Sequence, residues 1–431
     1  MKSSFCIDLQ RFMLIPTKFP LSLFLMNTTK FSSLGNGLMA YVKMLLTLNN
    51  LMKSALLLCV AFLAVAVQAQ PDSVDTGDPR VKWHVDAVTE GQWNIKTGHA
   101  NWVNMLSAGV EVSIWRGGSL EFGALATGSL KDGIVDDLQD FSNINAESRG
   151  FRLTHLGIGQ QLSEKLYIYA GLREADEDYF NTDGASIFTG SSYGCVPQAG
   201  ENLALGVYPE AALGLYLEYR PTDVWIVSTT VYNGMASDRL NRQFRFCPGS
   251  DGLINIGSVS YSPAISRYLG DGGEPAEGFL APTYVLGYVA GWQYLGDEAA
   301  DDATETVVPA KQCRKGGALW ASVDQPLMRV GRAGLNLFAT GGVRIGQLDA
   351  ARGHWAAALL LGNVTHCGGT LAMGVSQARY AEKLKETDFE TTFEYPVLSW
   401  LSLQPALHII RTDGKTNVAA NLRLSISLGN L

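Results

Sequence analysis

The sequence predicts an all-β chain whose exported part closes into a transmembrane antiparallel β-barrel of about 16 strands, with short periplasmic turns and long external loops. Three observations lead there. In the last strand-like run Val418, Ala420, Leu422, Leu424, Ile426 and Leu428 fall on one face, and Asn417, Asn421, Arg423, Ser425 and Ser427 on the other, the period of two expected of a half-buried strand. That run is as long as the roughly 9 to 11 residues that cross a bilayer when tilted. After Ala69 no uncharged apolar run reaches the roughly 18 residues of a membrane helix, yet alternating apolar runs recur to the C-terminus.

Residues 1–51 show no pattern of a domain. From Met52 the chain reads Met52, Lys53, Ser54 and then ALLLCVAFLAVAVQA up to Ala69. A basic residue, a short apolar run and small residues at Val67 and Ala69 make a secretory signal cleaved after Ala69. The expected organisation is therefore a non-native N-terminal extension at 1–51, a signal peptide at 52–69 and the barrel domain at 70–431. Leu58 precedes Cys59 where a lipoprotein signal needs a small residue, so no lipidation is expected.

Six of the 33 Lys and Arg and one of the 41 acids precede residue 70, which leaves 27 cations against 40 anions. Such an acidic balance argues against nucleic acid as a partner. All nine Trp lie in the exported part, and long amphipathic helical patterns are missing. An outer-membrane barrel and a large soluble β protein both fit these facts.

In chain order, strand-like runs occupy Trp83 to Trp93, Val103 to Trp115, Ser119 to Leu130, Arg149 to Gln161 and Leu166 to Arg173. In the last of these Leu166, Ile168, Ala170 and Leu172 oppose Tyr167, Tyr169 and Arg173. Further runs cover Leu203 to Tyr219, Val224 to Asn233, Leu253 to Tyr261, Thr283 to Leu295, Ala318 to Gln325, Gly334 to Ile345, Trp355 to Leu361 and Thr370 to Ala381, with three more from Thr387. Short turns (162–165, 220–223, 396–400) alternate with longer polar loops (131–148, 174–202, 234–252, 297–315), the asymmetry of a bacterial outer-membrane barrel. Trp102, Trp115, Trp225, Trp355 and Trp400 sit at or near strand ends, where an aromatic girdle belongs.

Four pieces then show a resemblance: WNIKTGHANWVNMLSAGVEVSIWRGGSLEFGALATGSL; KLYIYAGLREADEDYF followed by ASIFTGSSYGCVP; YRPTDVWIVSTTVYNG; and EYPVLSWLSLQPALHIIRTDG followed by the closing strand. Together they resemble the OprB family of carbohydrate-selective outer-membrane porins over most of residues 83–428. The resemblance implies a sixteen-stranded barrel that passes sugars passively across the bacterial outer membrane. It also implies that the loop after the fifth strand, 174–202, folds into the lumen. The chain departs from the pattern at Leu431, where such barrels usually end on an aromatic, and in an acidic loop without the cations of a sugar-porin eyelet.

That loop bears Glu174, Asp176, Glu177, Asp178, Asp183 and Glu201, and no Lys or Arg. Folded inward it would put a negative field in the narrowest part of the channel. Facing cations are expected from Arg173, Arg344 and Arg423 at inward phases of their strands. Opposed acid and Arg rows would bind sugar hydroxyls, with aromatics, Phe188 among them, offering ring faces. Small neutral saccharides are the expected solutes, with a weak cation preference.

The exported cysteines are Cys195, Cys247, Cys313 and Cys367; none forms CxxC, and Cys195 to Cys247 is the expected disulfide. Six scattered His, no HExxH, no GxSxG and no phosphate-cradling Gly loop argue against an enzyme. No cofactor or metal is expected, Asp176 to Asp178 reading as a solvated charge run. Carbohydrate solutes and outer-membrane lipid are the expected partners, and the assembly is left open between homotrimer and monomer. A barrel-anchored surface binding or adhesion protein without transport is the main alternative, and a soluble glycan-binding sandwich a third.

Overall fold

Alternating sequences satisfy their backbone groups in a membrane only if the sheet has no free edge. The chain meets this condition in the computed structural model, which describes residues 7–8 and 80–430 apart from 132, 145–149, 238–239, 271–273, 296–311, 347–349 and 367. In order the strands are β1 Ile7–Asp8, β2 Val81–Asn94, β3 Ala100–Trp115, β4 Gly118–Ser129, β5 Arg152–Ser163, β6 Leu166–Arg173, β7 Ala212–Thr222, β8 Trp225–Asn233, β9 Arg245–Phe246, β10 Gly252–Tyr261, β11 Thr283–Leu295, β12 Gln312–Val330, β13 Ala333–Gly346, β14 Ala351–Thr365, β15 Gly368–Tyr380, β16 Lys385–Leu398, β17 Leu401–Thr412 and β18 Lys415–Gly429. Every strand except β1 and β9, which pair with each other, belongs to one closed antiparallel barrel in which β18 meets β2. The expected signal peptide lies outside the described residues, as does the expected extension apart from β1.

Phase decides what each side chain meets. Leu422 in β18, Met373 in β15, Leu359 in β14, Leu215 in β7 and Leu286 in β11 stand exposed on the outer face, as do Trp102, Trp115, Trp225, Trp355 and Trp400. Inward positions are small or polar: Ala419, Asn421 and Arg423 in β18, and Glu386, Asp388, Glu390 and Thr392 in β16, are all buried.

Each of the sixteen expected runs overlaps one barrel strand, although 318–325 and 355–361 cover only the middles of β12 and β14, and one run starts far too early. Residues 203–211 precede β7 instead of opening it. Leu203 and Leu205 are buried among the aromatics inside the barrel, and the Ala204 amide donates to Gln293 Oε1 at 2.8 Å, so this apolar run packs the interior and pairs with no neighbouring strand. One periplasmic connection is also long. Its residues 274–282 fold onto the inside of β12 to β14, where Asn336 donates to the Gly278 carbonyl at 2.9 Å and accepts from the Leu280 amide at 3.0 Å.

Candidate functional site

The connection from β6 to β7 leaves the wall at Glu174 and crosses the barrel interior. Short sequence signals shape it: one-turn helices at Asp176–Tyr179, Asp183–Ser186 and Pro197–Gly200, and a 3-10 turn at Ser191–Tyr193. The Thr182 side chain caps the second helix from Ala185 N, and Pro197 opens the third, where a missing N–H is harmless. Aromatics fasten the loop. Phe180 packs on Trp320 at 4.9 Å, and Phe188 stacks on Tyr193 at 4.1 Å, both near Phe338. A Cβ at Gly184 would lie 2.3 Å from Asp324 Oδ1, so only glycine lets this turn approach the wall. Its amide donates to Asp324 Oδ2 at 3.0 Å.

The far wall holds the loop through a buried network that the sequence reading missed. Glu390 Oε1 accepts from the Thr189 amide at 2.8 Å and hydroxyl at 2.9 Å, and Oε2 accepts from the Gly190 amide at 3.1 Å. His408 Nδ1 lies 2.8 Å from Asp388 and Nε2 lies 2.9 Å from the Thr189 hydroxyl. Asp388, Glu390 and His408 bring ligand-type atoms within 4.8 Å of one another. Both His408 nitrogens and both Glu390 oxygens are already engaged by protein partners, so the cluster serves as a fastening. The acid row of β16, Glu386, Asp388 and Glu390 at alternate positions with Glu394 in the same phase, was the signal that could have located it.

In the connection between β4 and β5, the segment 133–144 lies against this loop. Its Leu138 and Gln139 amides donate to Glu386 at 2.9 Å, and the Asn143 amide donates to the Thr189 carbonyl at 2.6 Å. Ile134 and Phe141 pack on Ile410 and Ala419.

The near wall is different. Arg173 forms a fork on Asp178, with Nε and Nη2 each 2.6 Å from its carboxylate, and Nη1 lies 3.5 Å from Glu121. The guanidinium sits over the Tyr169 and Tyr216 rings at 4.9 and 4.8 Å, a stacked and bidentate geometry that lysine cannot provide. Tyr167 donates to Glu121 at 2.5 Å, Tyr216 to Glu218 at 2.9 Å, and Arg220 to Glu218 at 2.6 Å. Arg173 and Tyr167 on β6 and Glu218 and Arg220 on β7 therefore form a track along the inward wall, backed by the buried rings of Tyr169 and Tyr216. Glu177 is 64% exposed, 3.7 Å from His155 Nε2.

The expected site residues divide accordingly. Glu177 and Asp183 are exposed, and Arg173 and Asp178 join the track. Glu174 is buried, with Oε1 unpartnered, and burial raises its carboxyl well above the usual range. Asp176 accepts the Tyr208 amide at 2.5 Å, and burial lifts it to about 7. Phe188 is 1% exposed; it is corrected from a pore surface to a core residue because its ring stacks on Tyr193 and lies beside Phe338. Arg423 is committed to Glu90 at 2.7 Å and to Asn143 at 2.8 Å, while Arg344 lies on β13. The three arginines are not brought together: four strands separate β13 from β18, and four separate β18 from β6.

The expected Cys195 to Cys247 disulfide is also corrected. Cys195 is a free thiol, its Sγ turned toward the Val196 carbonyl at 3.8 Å, while Cys247 is disulfide-bonded elsewhere. Cys195 sits inside the lumen with the loop core, and Cys247 follows β9, whose end is held by Asn233.

The carbohydrate-selective porin family model, OprB, matches residues 120–426. No curated protein matches the sequence. Among solved structures, the high-pH structure of Pseudomonas putida OprB superposes with a TM-score of 0.66 at 16% identity, covering 81% of this chain and 94% of that one. The low-pH structure of the same protein gives 0.50 at 16% identity, over 81% and 92%. At this identity the superpositions speak to fold; the family match speaks to kind.

Proposed function

This chain belongs to the OprB family of carbohydrate-selective porins, passive channels of the bacterial outer membrane, and from that membership we propose that its solutes are small neutral saccharides guided along the Arg173 track. The observation behind this reading is the Arg173–Asp178 fork laid across Tyr169 and Tyr216, beside Glu121 and the partly exposed Tyr167. Fixed charges of both signs suit neutral polyols: each hydroxyl finds a donor or an acceptor, and hydrogen bonds to charged groups are the stronger kind. The partly exposed ring of Tyr167 suits the apolar face of a pyranose, while the Tyr169 and Tyr216 rings are buried and back the guanidinium. Glu177 and Asp183, exposed and without a lysine or arginine on their own loop, support a weak preference for cations over anions. The proposed activity is passage alone, with no bond made or broken.

The test is conductance in planar bilayers, titrated with mono- and oligosaccharides. Current should fall saturably with sugar, and Arg173→Ala should raise the half-blocking concentration about tenfold, the scale of a lost hydrogen bond to a charged group. A folded barrel with no conductance would turn the reading toward a barrel-anchored surface protein.

A further inference from the structure

The outer face of the barrel changes character at the external ends of β15 to β18. Paired residues form successive rows across these strands. Val375, Phe389, Ile409 and Val418 make an apolar row; Gln377, Thr387, Arg411 and Thr416 make the next; beyond it Arg379 stands opposite Lys385. Phe389 and Ile409 are exposed, as are Met373 and Leu407 below them, the state of side chains that meet acyl tails. Gln377 donates to Thr387 at 3.1 Å. Arg411 leans back over the Phe389 ring, 6.0 Å from its centroid. Trp355, exposed and paired with Gln377, marks the level where aromatics meet headgroups.

Beside Arg411 a cleft of about 450 Å³ opens, lined by Lys385, Thr387, Lys415, Thr416 and the Asp413–Gly414 turn as well as by Arg411 itself. Three cations share it with one carboxylate. Lys96 adds a fourth cation at its edge, where its Nζ donates to the Thr416 carbonyl at 2.8 Å. None of Arg379, Lys385, Arg411 and Lys415 makes an ion pair among the described residues. Like charges directly opposite across a strand pair destabilise the pair, so this rim is a poor arrangement for a protein surrounded by water alone. It suits a surface whose counter-ions come from the lipid.

We propose that this patch binds the phosphate groups of a phosphorylated lipid in the outer leaflet, with the acyl chains lying along Phe389, Ile409, Leu407 and Met373. An arginine fork flanked by two ammonium groups matches a phosphate monoester. The unbroken step from cationic to apolar side chains distinguishes a lipid from a free anion, which would need only the upper half.

The experiment titrates the full chain, folded in detergent micelles, with bis-phosphorylated lipid A and separately with its dephosphorylated form, and uses inorganic phosphate as competitor. Heat-modifiable gel mobility establishes that each variant is folded. The wild-type protein should prefer the phosphorylated form by about tenfold or more. The combined variant Lys385→Gln, Arg411→Gln, Lys415→Gln should bind it roughly a hundredfold more weakly, about fivefold per cation. The charge-retaining variant Lys385→Arg, Lys415→Arg should bind as the wild type does. Equal affinity of the wild type for the two lipids would overturn the proposal, and so would unchanged binding by the folded neutral variant. Displacement of the lipid by inorganic phosphate alone would make this a free-anion site and overturn the lipid assignment. If the neutral variant does not fold, the two lipids on the wild type and the charge-retaining variant still decide.

Discussion

The loop between β6 and β7 touches the barrel on two sides with similar residue types and opposite results. On the β16–β17 side Glu390 and His408 have no exposed surface, and each Glu390 oxygen is held by donors of the loop. On the β4–β6–β7 side Arg173 and Glu121 keep 14% and 19% of their side chains accessible, and Glu177 keeps 64%. Acids, a basic side chain and hydroxyls make a fastening where donors enclose them. The same chemistry makes a binding surface where one edge stays wet. Burial, more than composition, separates the two.

The sharpest way to break this contrast is Glu390→Ala. It strands the Thr189 and Gly190 amides in a buried place, at a cost on the order of 3 kcal/mol, while the Thr189 hydroxyl keeps His408 and Asn421 as partners. The loop should leave the far wall, and single-channel conductance should rise while the barrel still shows heat-modifiable mobility. Unchanged conductance would mean that the aromatic stack around Phe188 holds the loop by itself.

A smaller effect comes with pH, through Asp176. Burial raises its carboxyl from 3.8 to about 7. Below about pH 4 it is protonated whether the loop is seated or free, so seating carries no ionisation penalty. Between about 4 and about 7 the free loop gives up its proton while the seated loop keeps it, so seating weakens as pH rises through that window and levels off above it. Open-channel current should therefore be steadier at pH 5 than at pH 8, and Asp176→Asn should flatten the profile. A wild-type profile already flat would remove Asp176 from the account.

The mildest change is Tyr167→Ala on the wet side. Loss of one ring is worth about 1 kcal/mol, so sugar block should weaken roughly fivefold while conductance in salt alone stays near wild type. Tyr167→Phe, which keeps the ring but not the bond to Glu121, should retain most of the block.

The barrel was legible in the sequence because a strand with lipid on one face must alternate, and sixteen runs did so. Strand ends were legible too where tryptophans mark them. The run Leu203 to Val207 misled because apolar residues that pack inside a lumen look like those that face lipid; nothing local separates them. The same limit applies to the acids of the loop. Asp176, Glu177 and Asp178 are consecutive, yet one accepts a buried backbone amide, one is open to water and one is locked to Arg173. Their roles depend on Tyr208, on the lumen and on β6, which only the folded chain brings near. The pairing of Cys247 was equally beyond reach, since four exported thiols fix no connectivity by spacing.

The seam between β18 and β2 joins the two ends of the barrel chain. The Trp83 amide donates to Asn430 Oδ1 across 347 positions, and Asn430 in turn donates to the Val81 carbonyl at 3.2 Å. Pairings of such separation come late in folding, after the neighbouring hairpins have zipped. Until this one forms, two strand edges stand unsatisfied, a state that hydrocarbon does not tolerate. The C-terminal strand thus acts as a clasp: a chain that stops short of it has fifteen of the sixteen strands and two open edges.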